Sequence, residues 1–542
     1  MVNQRNNNNN TGSFLKGTLV LTIAGMVVKV IGSLNWIILS RVLGGEGIGL
    51  YQMAFPIYLL ALSLSSAGIP VAISIITAEK IALQDYRGAN RVFTASLALL
   101  TLSGLVLSIA VYFGAGWLIE EGVIRDARAY PAILALAPAI FLVTLLSSFR
   151  GYLQGWQMMT PTAVSQIVEQ IFRVATMVLF AALLLPKGIE YAAGGASLGA
   201  GFGAAAGLLV LIYYYVRLQR SVPVDKLNKN RKPLESNTSL IRRMVYLALP
   251  VSLSSLMLPL VSNLDLFIVP LRLEEAGYTV KEATEHFGYL TGMAVPLVNL
   301  ATLITAALAT ALVPAMATAG TSENKQMIKQ KIGSAIRLTN LVTIPAAAGL
   351  AIVATPLATA VYHAPQAGAV IEVVAVGVYM LGIHQVTTGI LQGMGYTALP
   401  LINMGIAAIV KVALNWNLVA IPSLGILGAG WATNADFGVA AMLNLFFVYR
   451  YSQFTITITS LVKIVTATAV MGITLYAANE YLIQHMSALL AICADISIAI
   501  FVYGVILLLV GELTEQDILR IPLVGTGLAR MLLLCGLLKR SS

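Results

Sequence analysis

The chain has 542 residues, of which 58% are hydrophobic types and only 10% are charged. A soluble protein carries about 25% charged residues, so these figures exclude a soluble enzyme, a disordered chain and a single-anchor receptor. They fit an all-α polytopic membrane protein, in which the net charge of +10 belongs to basic loops and not to a nucleic-acid surface.

The first residues, MVNQRNNNNNTGSF, are polar and Asn-rich, and 1–16 is expected to lack structure. The apolar run that follows passes Gly32 without a small-residue cleavage site, which predicts a retained first helix. Apolar runs fall near 17–38, 50–77, 92–117, 131–148, 162–185 and 195–216. After a basic stretch they resume near 244–268, 288–316, 333–358, 371–391, 398–419, 425–448, 460–479 and 487–511. This predicts about fourteen transmembrane helices. Pro296, Pro314, Pro345 and Pro356 predict bends in the eighth and ninth. The expected organisation is an N-lobe of six helices (17–216), a basic cytoplasmic linker (217–243), a C-lobe of six (244–449), two extra helices (450–511) and an interfacial tail (512–542).

Lys and Arg orient this arrangement. With the N-terminus cytoplasmic, twenty-four of the 33 cations, Arg150 among them, fall in inside segments. Six fall outside: Arg41, Arg125, Arg128, Lys187, Arg272 and Lys281. The bias predicts an even number of spans with both ends in the cytoplasm. The linker VRLQRSVPVDKLNKNRKPLESNTSLIRR is the most basic loop, suited to fixing topology and to touching anionic lipid headgroups.

Other motifs are uninformative. GGEGIG at 44–49 lacks the GKS/T ending and the strand–loop–helix context of a phosphate loop. No Walker, HExxH or CxxC pattern occurs, the four histidines show no ligand spacing, and Cys493 and Cys535 read as small hydrophobes. No cofactor is expected.

An internal repeat is present. With an offset of 238, Gly151, Leu153, Gln154 and Gly155 match Gly389, Leu391, Gln392 and Gly393, and Arg173 falls on Lys411. Both segments are predicted cytoplasmic turns between apolar runs, which implies parallel repeats and suits alternating access. Gly199, Gly203 and Gly207 recur every four residues, a pattern for close helix contact.

Lys29, Glu169, Arg173, Asp265, Lys411, Asp436 and Asp495 fall within apolar spans, where an ionisable group needs a partner or a wet cavity. Glu169 and Arg173 are four apart on one helix face and can pair, either as structural neutralisation or to orient Arg173. Asp265 has two readings: an ion pair with Lys411, or an Na⁺ or H⁺ coupling site with Asn263 and Asn415 as neutral ligands. Lys29, Arg173 and Lys411 are the cations expected inside the membrane, so an anionic substrate such as a diphosphate is favoured over a neutral sugar or a cation. Asn35, Gln52 and Gln166 are candidate hydrogen-bonding groups beside it, together with Tyr51 and Asn299.

SRVLGGEGIGLYQMAFPIY, SSAGIPVAIS, FRGYLQGWQMMTPTAVSQIVEQIFRV and LQGMGYTALPLINMGIAAIVKV carry a family likeness. The chain resembles the polysaccharide-transporter branch of the multidrug/oligosaccharidyl-lipid/polysaccharide exporter superfamily, most of all its MurJ-type lipid II flippases and stage V sporulation protein B group. The resemblance implies a MATE-like fold, a bacterial plasma-membrane location and movement of an undecaprenyl-diphosphate-linked sugar (lipid II) to the outer leaflet, driven by membrane potential or ions. It places Lys29 on a family cavity arginine, Asn35 and Thr291 where some members carry basic residues, and Asp265 where some carry a cation-binding carboxylate. A monomer is expected, with cell-wall synthesis proteins as further candidate partners. A flippase for teichoic acid, capsule or sporulation precursors, a drug/cation antiporter of the same fold and a scaffold acting through the basic loop remain alternatives.

Overall fold

The computed structural model describes residues 2–66, 68–221, 235–321, 325–454 and 457–513. The linker residues 222–234 and the tail from 514 onward lie outside that description. Among the described residues all regular structure is helical, and the chain divides into two compact units, Met1–Gly292 and Met293–Ser542.

The first unit holds α1 (Val2–Ser66), α2 (Ile69–Ala82), α3 (Tyr86–Glu120), α4 (Tyr130–Gly155), α5 (Met159–Leu184), α6 (Ile189–Ser221), α7 (Asn237–Glu275) and α8 (Val280–Gly288). A π-helical turn, Tyr289–Ala294, leads out of it. The second holds α9 (Val295–Ala301), α10 (Leu303–Thr321), α11 (Lys325–Ile352), the short α12 (Ala354–Leu357), a π turn (Ala358–Tyr362), α13 (Ala367–Gly393), α14 (Ala398–Leu418), α15 (Ile426–Ser452), α16 (Ile458–His485) and α17 (Ala488–Leu509). α1 runs through the Asn-rich start expected to lack structure, because extending a formed helix costs little per residue.

Eleven described helices are long and apolar enough to cross a membrane, or twelve when the bent pair Val280–Ala301 and Leu303–Ala317 counts as one span. Two features account for the difference from fourteen. The first of these stretches, Ile23–Ala82, is 60 residues long, about 90 Å of helix against a hydrocarbon core of about 30 Å. It breaks at Gly44 (φ 64°) and Gly68 (φ 74°), left-handed conformations that glycine adopts without a Cβ penalty. α15, at 27 residues, has the length of a span but carries Asn434, Asp436 and Asn444. The eighth stretch does bend, by 53° between Val280–Ala301 and Leu303–Ala317, but the break falls at Thr302, six residues past Pro296 and twelve before Pro314.

The first unit extends past the basic linker because α7 and α8 pack on α1. A Cβ on Gly49 would lie 2.0 Å from the Thr284 carbonyl oxygen, and one on Gly288 would lie 2.3 Å from that of Gly45. The GGEGIG segment is therefore a helix–helix contact. Around it, on the side expected to face outward, buried Asp126 accepts from Arg128 Nη2 at 2.6 Å and from Thr284 Oγ1 at 2.7 Å. Arg128 and Lys281 both pair with Glu46, and Arg125 pairs with Glu274 at 2.6 Å. On the opposite side Lys80 reaches Glu235 at 3.2 Å, Arg243 pairs with Glu79, and Arg91 donates to Asn237 at 2.8 Å. These contacts join the start of α7 to α2 and α3.

Candidate functional site

Charged groups meet inside the first unit where α4 and α5 cross. Arg150 Nη2 donates to Glu169 Oε2 at 2.8 Å, and Arg173 Nη2 donates to Glu169 Oε1 at 2.9 Å. Arg150 also donates to Ser165 Oγ at 3.2 Å. The spacing explains half of this: Glu169 and Arg173 are four apart on one helix face. Arg150, expected in a cytoplasmic turn, lies instead in the last turns of α4, because the helix continues through the polar residues after the apolar run ends at 148. One carboxylate thus holds two guanidiniums, leaving one positive charge.

Aromatic hydroxyls flank the group. Buried Tyr51 and Tyr58, seven apart on α1, stand within electrostatic reach of Arg173. Arg173 Nε is buried and makes no short hydrogen bond among the described residues, although the Tyr58 hydroxyl stands close to the guanidinium. Tyr51 stacks on Phe55 with centroids 5.7 Å apart. Behind the ions, the expected small-residue stripe of α6 makes room for α5. A Cβ on Gly203 would lie 2.7 Å from the Glu169 carbonyl oxygen and 2.8 Å from Arg173 Cβ, and one on Gly199 would lie 2.8 Å from the Arg173 carbonyl oxygen.

The remaining expected residues are dispersed. Lys29 is exposed on α1 and has no ion-pair partner among the described residues. Asn35 is buried and donates to Met177 Sδ at 3.6 Å, and Gln52 donates to the Thr291 carbonyl at 2.7 Å, so both tie helices together. Gln166 is half-buried on α5, and Asn299 is exposed. Asn263 donates to the carbonyls of Pro56 at 2.9 Å and Pro259 at 2.7 Å. Asp265 lies two positions further along continuous α7 and is half-buried. Among the described residues no group of three His, Cys, Asp or Glu is arranged to hold a metal. Lys411 and Asn415 are buried on α14 of the second unit.

The repeat has a structural counterpart in each unit. Gly151 and Gly155 of α4 let its backbone meet α2: their Cβ atoms would lie 2.7 Å from Pro70 O and 2.9 Å from Ser74 O. Gly389 and Gly393 of α13 do the same against α10, at 2.4 Å from Ala309 O and 2.6 Å from Val313 O. At the positions matching Arg150 and Ser165, Thr388 and Asn403 are bridged by Asn444, which donates to Thr388 at 3.0 Å and accepts from Asn403 at 2.8 Å. His384 lies 3.3 Å from the same amide. At the position of Arg150 the second unit thus carries a neutral hydroxyl held by amides, whereas the match of Arg173 remains a cation, Lys411.

Comparison with known proteins agrees with this architecture. The family profile described as polysaccharide biosynthesis protein matches residues 14–320, and the MatE profile matches residues 291–417. Stage V sporulation protein B of Bacillus subtilis (strain 168) is 29% identical over 517 residues, covering 95% of this chain and 98% of that protein. Lipid II flippase MurJ of the same organism is 26% identical over 481 residues, covering 85% and 88%. Among solved structures, lipid II flippase MurJ in an inward closed conformation superposes with a TM-score of 0.66 at 16% identity, over 90% of this chain and 98% of that one. An inward-facing multidrug resistance MATE family transporter of the MOP superfamily does so with a TM-score of 0.66 at 18% identity, over 81% and 98%. This chain therefore belongs to the polysaccharide biosynthesis protein family, within the superfamily of MATE, MurJ and stage V sporulation protein B relatives, as a multi-pass membrane transporter and not an enzyme.

Proposed function

We propose that this chain is a flippase of the bacterial plasma membrane that carries an undecaprenyl-diphosphate-linked cell-wall precursor, lipid II, from the inner to the outer leaflet by alternating access. The observation that carries this reading is the Arg150–Glu169–Arg173 group, buried among the helices of the first unit with one net positive charge. Guanidinium suits phosphate oxygens, and inside apolar helices its attraction for an anion is little screened. Lys29, exposed on α1 of the same unit, adds cationic character. A drug-cation exporter would place its uncompensated charge on acids instead.

An inside-negative potential assists export of a diphosphate, by about 2.3 kcal/mol per charge per 100 mV. Asp265 with Na⁺ or H⁺ is the candidate for ion coupling, and the basic linker is the candidate contact for anionic lipid. The similarity to stage V sporulation protein B over nearly the whole chain favours a second reading, in which the same cationic group serves another prenyl-diphosphate-linked sugar during sporulation.

The deciding experiment is complementation of a strain depleted of its lipid II flippase, with lipid II measured separately in each leaflet. Restored outer-leaflet lipid II with the native chain, and its loss in Arg173→Ala and Lys29→Ala proteins that still reach the membrane, supports the reading. Normal flipping in both variants overturns the cationic-site mechanism, and no restoration by the native chain turns the assignment toward the other lipid-linked sugar.

A further inference from the structure

The apolar helix α17 carries one acid, Asp495, at its eighth position, about 10 Å along the helix from its start. The residue is only 1% exposed, and neither carboxyl oxygen has a hydrogen-bond partner among the described residues. The side chain lines a groove of about 430 Å³ between α11, α16 and α17. The walls are hydrocarbon: Leu341, Pro345, Leu350 and Val353 from the α11 side, and Met471 and Leu475 from α16.

Among the described residues, the groups packed around this acid supply it with no counter-charge. On its own helix, Tyr503 donates its hydroxyl to the Leu341 carbonyl at 2.9 Å. On the π turn packed against α17, Tyr362 donates to the Met293 carbonyl at 3.3 Å. The cations of α11 and α16 that face a cavity, Lys329, Arg337 and Lys463, line a separate polar one near the helix ends, with Glu512. α12 contributes Leu357 to the groove.

A carboxylate ion in apolar walls, with no donor on either oxygen, is far less favourable than the neutral acid. A structure retains such a group when something outside the resting chain completes it. We infer that Asp495 is a proton-binding site of the second unit, neutral while its groove is dry and releasing the proton when water or a cationic group enters. This assigns the chain a proton site distinct from Asp265, and it holds whichever lipid the transporter carries.

The test uses membranes containing the full chain, treated near neutral pH with dicyclohexylcarbodiimide, which is lipid-soluble, or with a water-soluble carbodiimide. The acid O–H adds across one C=N bond, its proton passing to nitrogen. An O-to-N acyl shift then gives a stable N-acylurea without a leaving group. Peptide mass mapping is expected to find the Asp495 peptide modified by the lipid-soluble reagent alone. The label should disappear in Asp495→Asn and persist in Asp495→Glu. Asp495→Asn, an isostere of the neutral acid, should also match the native chain in thermal stability. An unlabelled Asp495 in a preparation whose other membrane acids react, equal labelling by the water-soluble reagent, or a marked stability loss in Asp495→Asn with the Glu variant intact would each overturn the inference.

Discussion

Arg150 on α4 and Glu169 on α5 meet at 2.8 Å, and through that carboxylate Arg150 is joined to Arg173 one helical turn further on. The group is partly shielded on all three members, so its removal is expected to be felt in folding as well as in transport. Glu169→Gln leaves two cations facing each other without their shared acid. Unfolding of the purified chain in detergent should show a loss of about 3 kcal/mol, the usual cost of stranding one side of a buried ion pair. Combining it with Arg150→Met should recover part of that loss, and an additive worsening would contradict the triad.

The α5–α6 contact predicts a contrast between neighbouring glycines. Gly203→Ala sets a methyl 2.7 Å from the Glu169 carbonyl oxygen. The helices must then part, at about 1–3 kcal/mol, and the displaced Arg173 should lower transport. Gly201→Ala points its methyl to Ala139 Cβ at 3.9 Å, an ordinary contact, and should match the native chain in both assays.

Acid should loosen the Asp126 cluster before the membrane core. Burial raises the Asp126 carboxyl, but hydrogen bonds from Arg128 and Thr284 outweigh it and hold the group below its ordinary 3.8. With the folded value depressed, the stabilisation is complete above pH 3.8 and is lost as pH falls through the lower folded value. Hydrogen exchange at Val280–Gly288 should therefore quicken in that acid window. Asp126→Asn should show the faster exchange already at pH 7, with no further acid step.

The end of α17 is clamped by charge. Glu512 accepts from Arg337 Nε at 2.8 Å and from Ser460 at 2.5 Å, and Lys463 donates to the Gly511 carbonyl at 3.2 Å. These donors also satisfy carbonyls that a helix C-terminus leaves open. Glu512→Gln should speed exchange in the last turn of α17 while leaving α13 unchanged. Uniform change across the second unit would mean the contact is part of the general core.

The helical membrane architecture, the Glu169–Arg173 spacing, the glycine stripe and the repeat were all visible in one dimension, since each is a local pattern of hydropathy or a fixed interval. Arg150 was not. Its acid lies nineteen residues away, and charge counting assigns any cation after an apolar run to a loop. Tyr51 was among the candidate polar groups, but Tyr58 was opaque as a neighbour of Arg173, because an aromatic in an apolar run looks the same whether it faces packing or charge. The Asp126 cluster was hidden for a related reason: Asp126 and Thr284 are 158 residues apart, and only the fold makes them neighbours. Kinks at Gly44 and Gly68 were written as glycines, yet among 46 glycines nothing local marks which ones take positive φ, as eight of the described glycines do.

The matched glycines have a consequence for how the halves tolerate change. Gly151 and Gly389 each admit a neighbouring backbone that any side chain would block, so a scan of substitutions should show the same intolerance at both. At the equally matched Arg150 and Thr388 the tolerance profiles should diverge, because ions surround one and amides the other. Such a protein keeps a duplicated scaffold with only partly duplicated chemistry. Paired scanning of equivalent sites would therefore separate what the architecture requires from what the cargo requires.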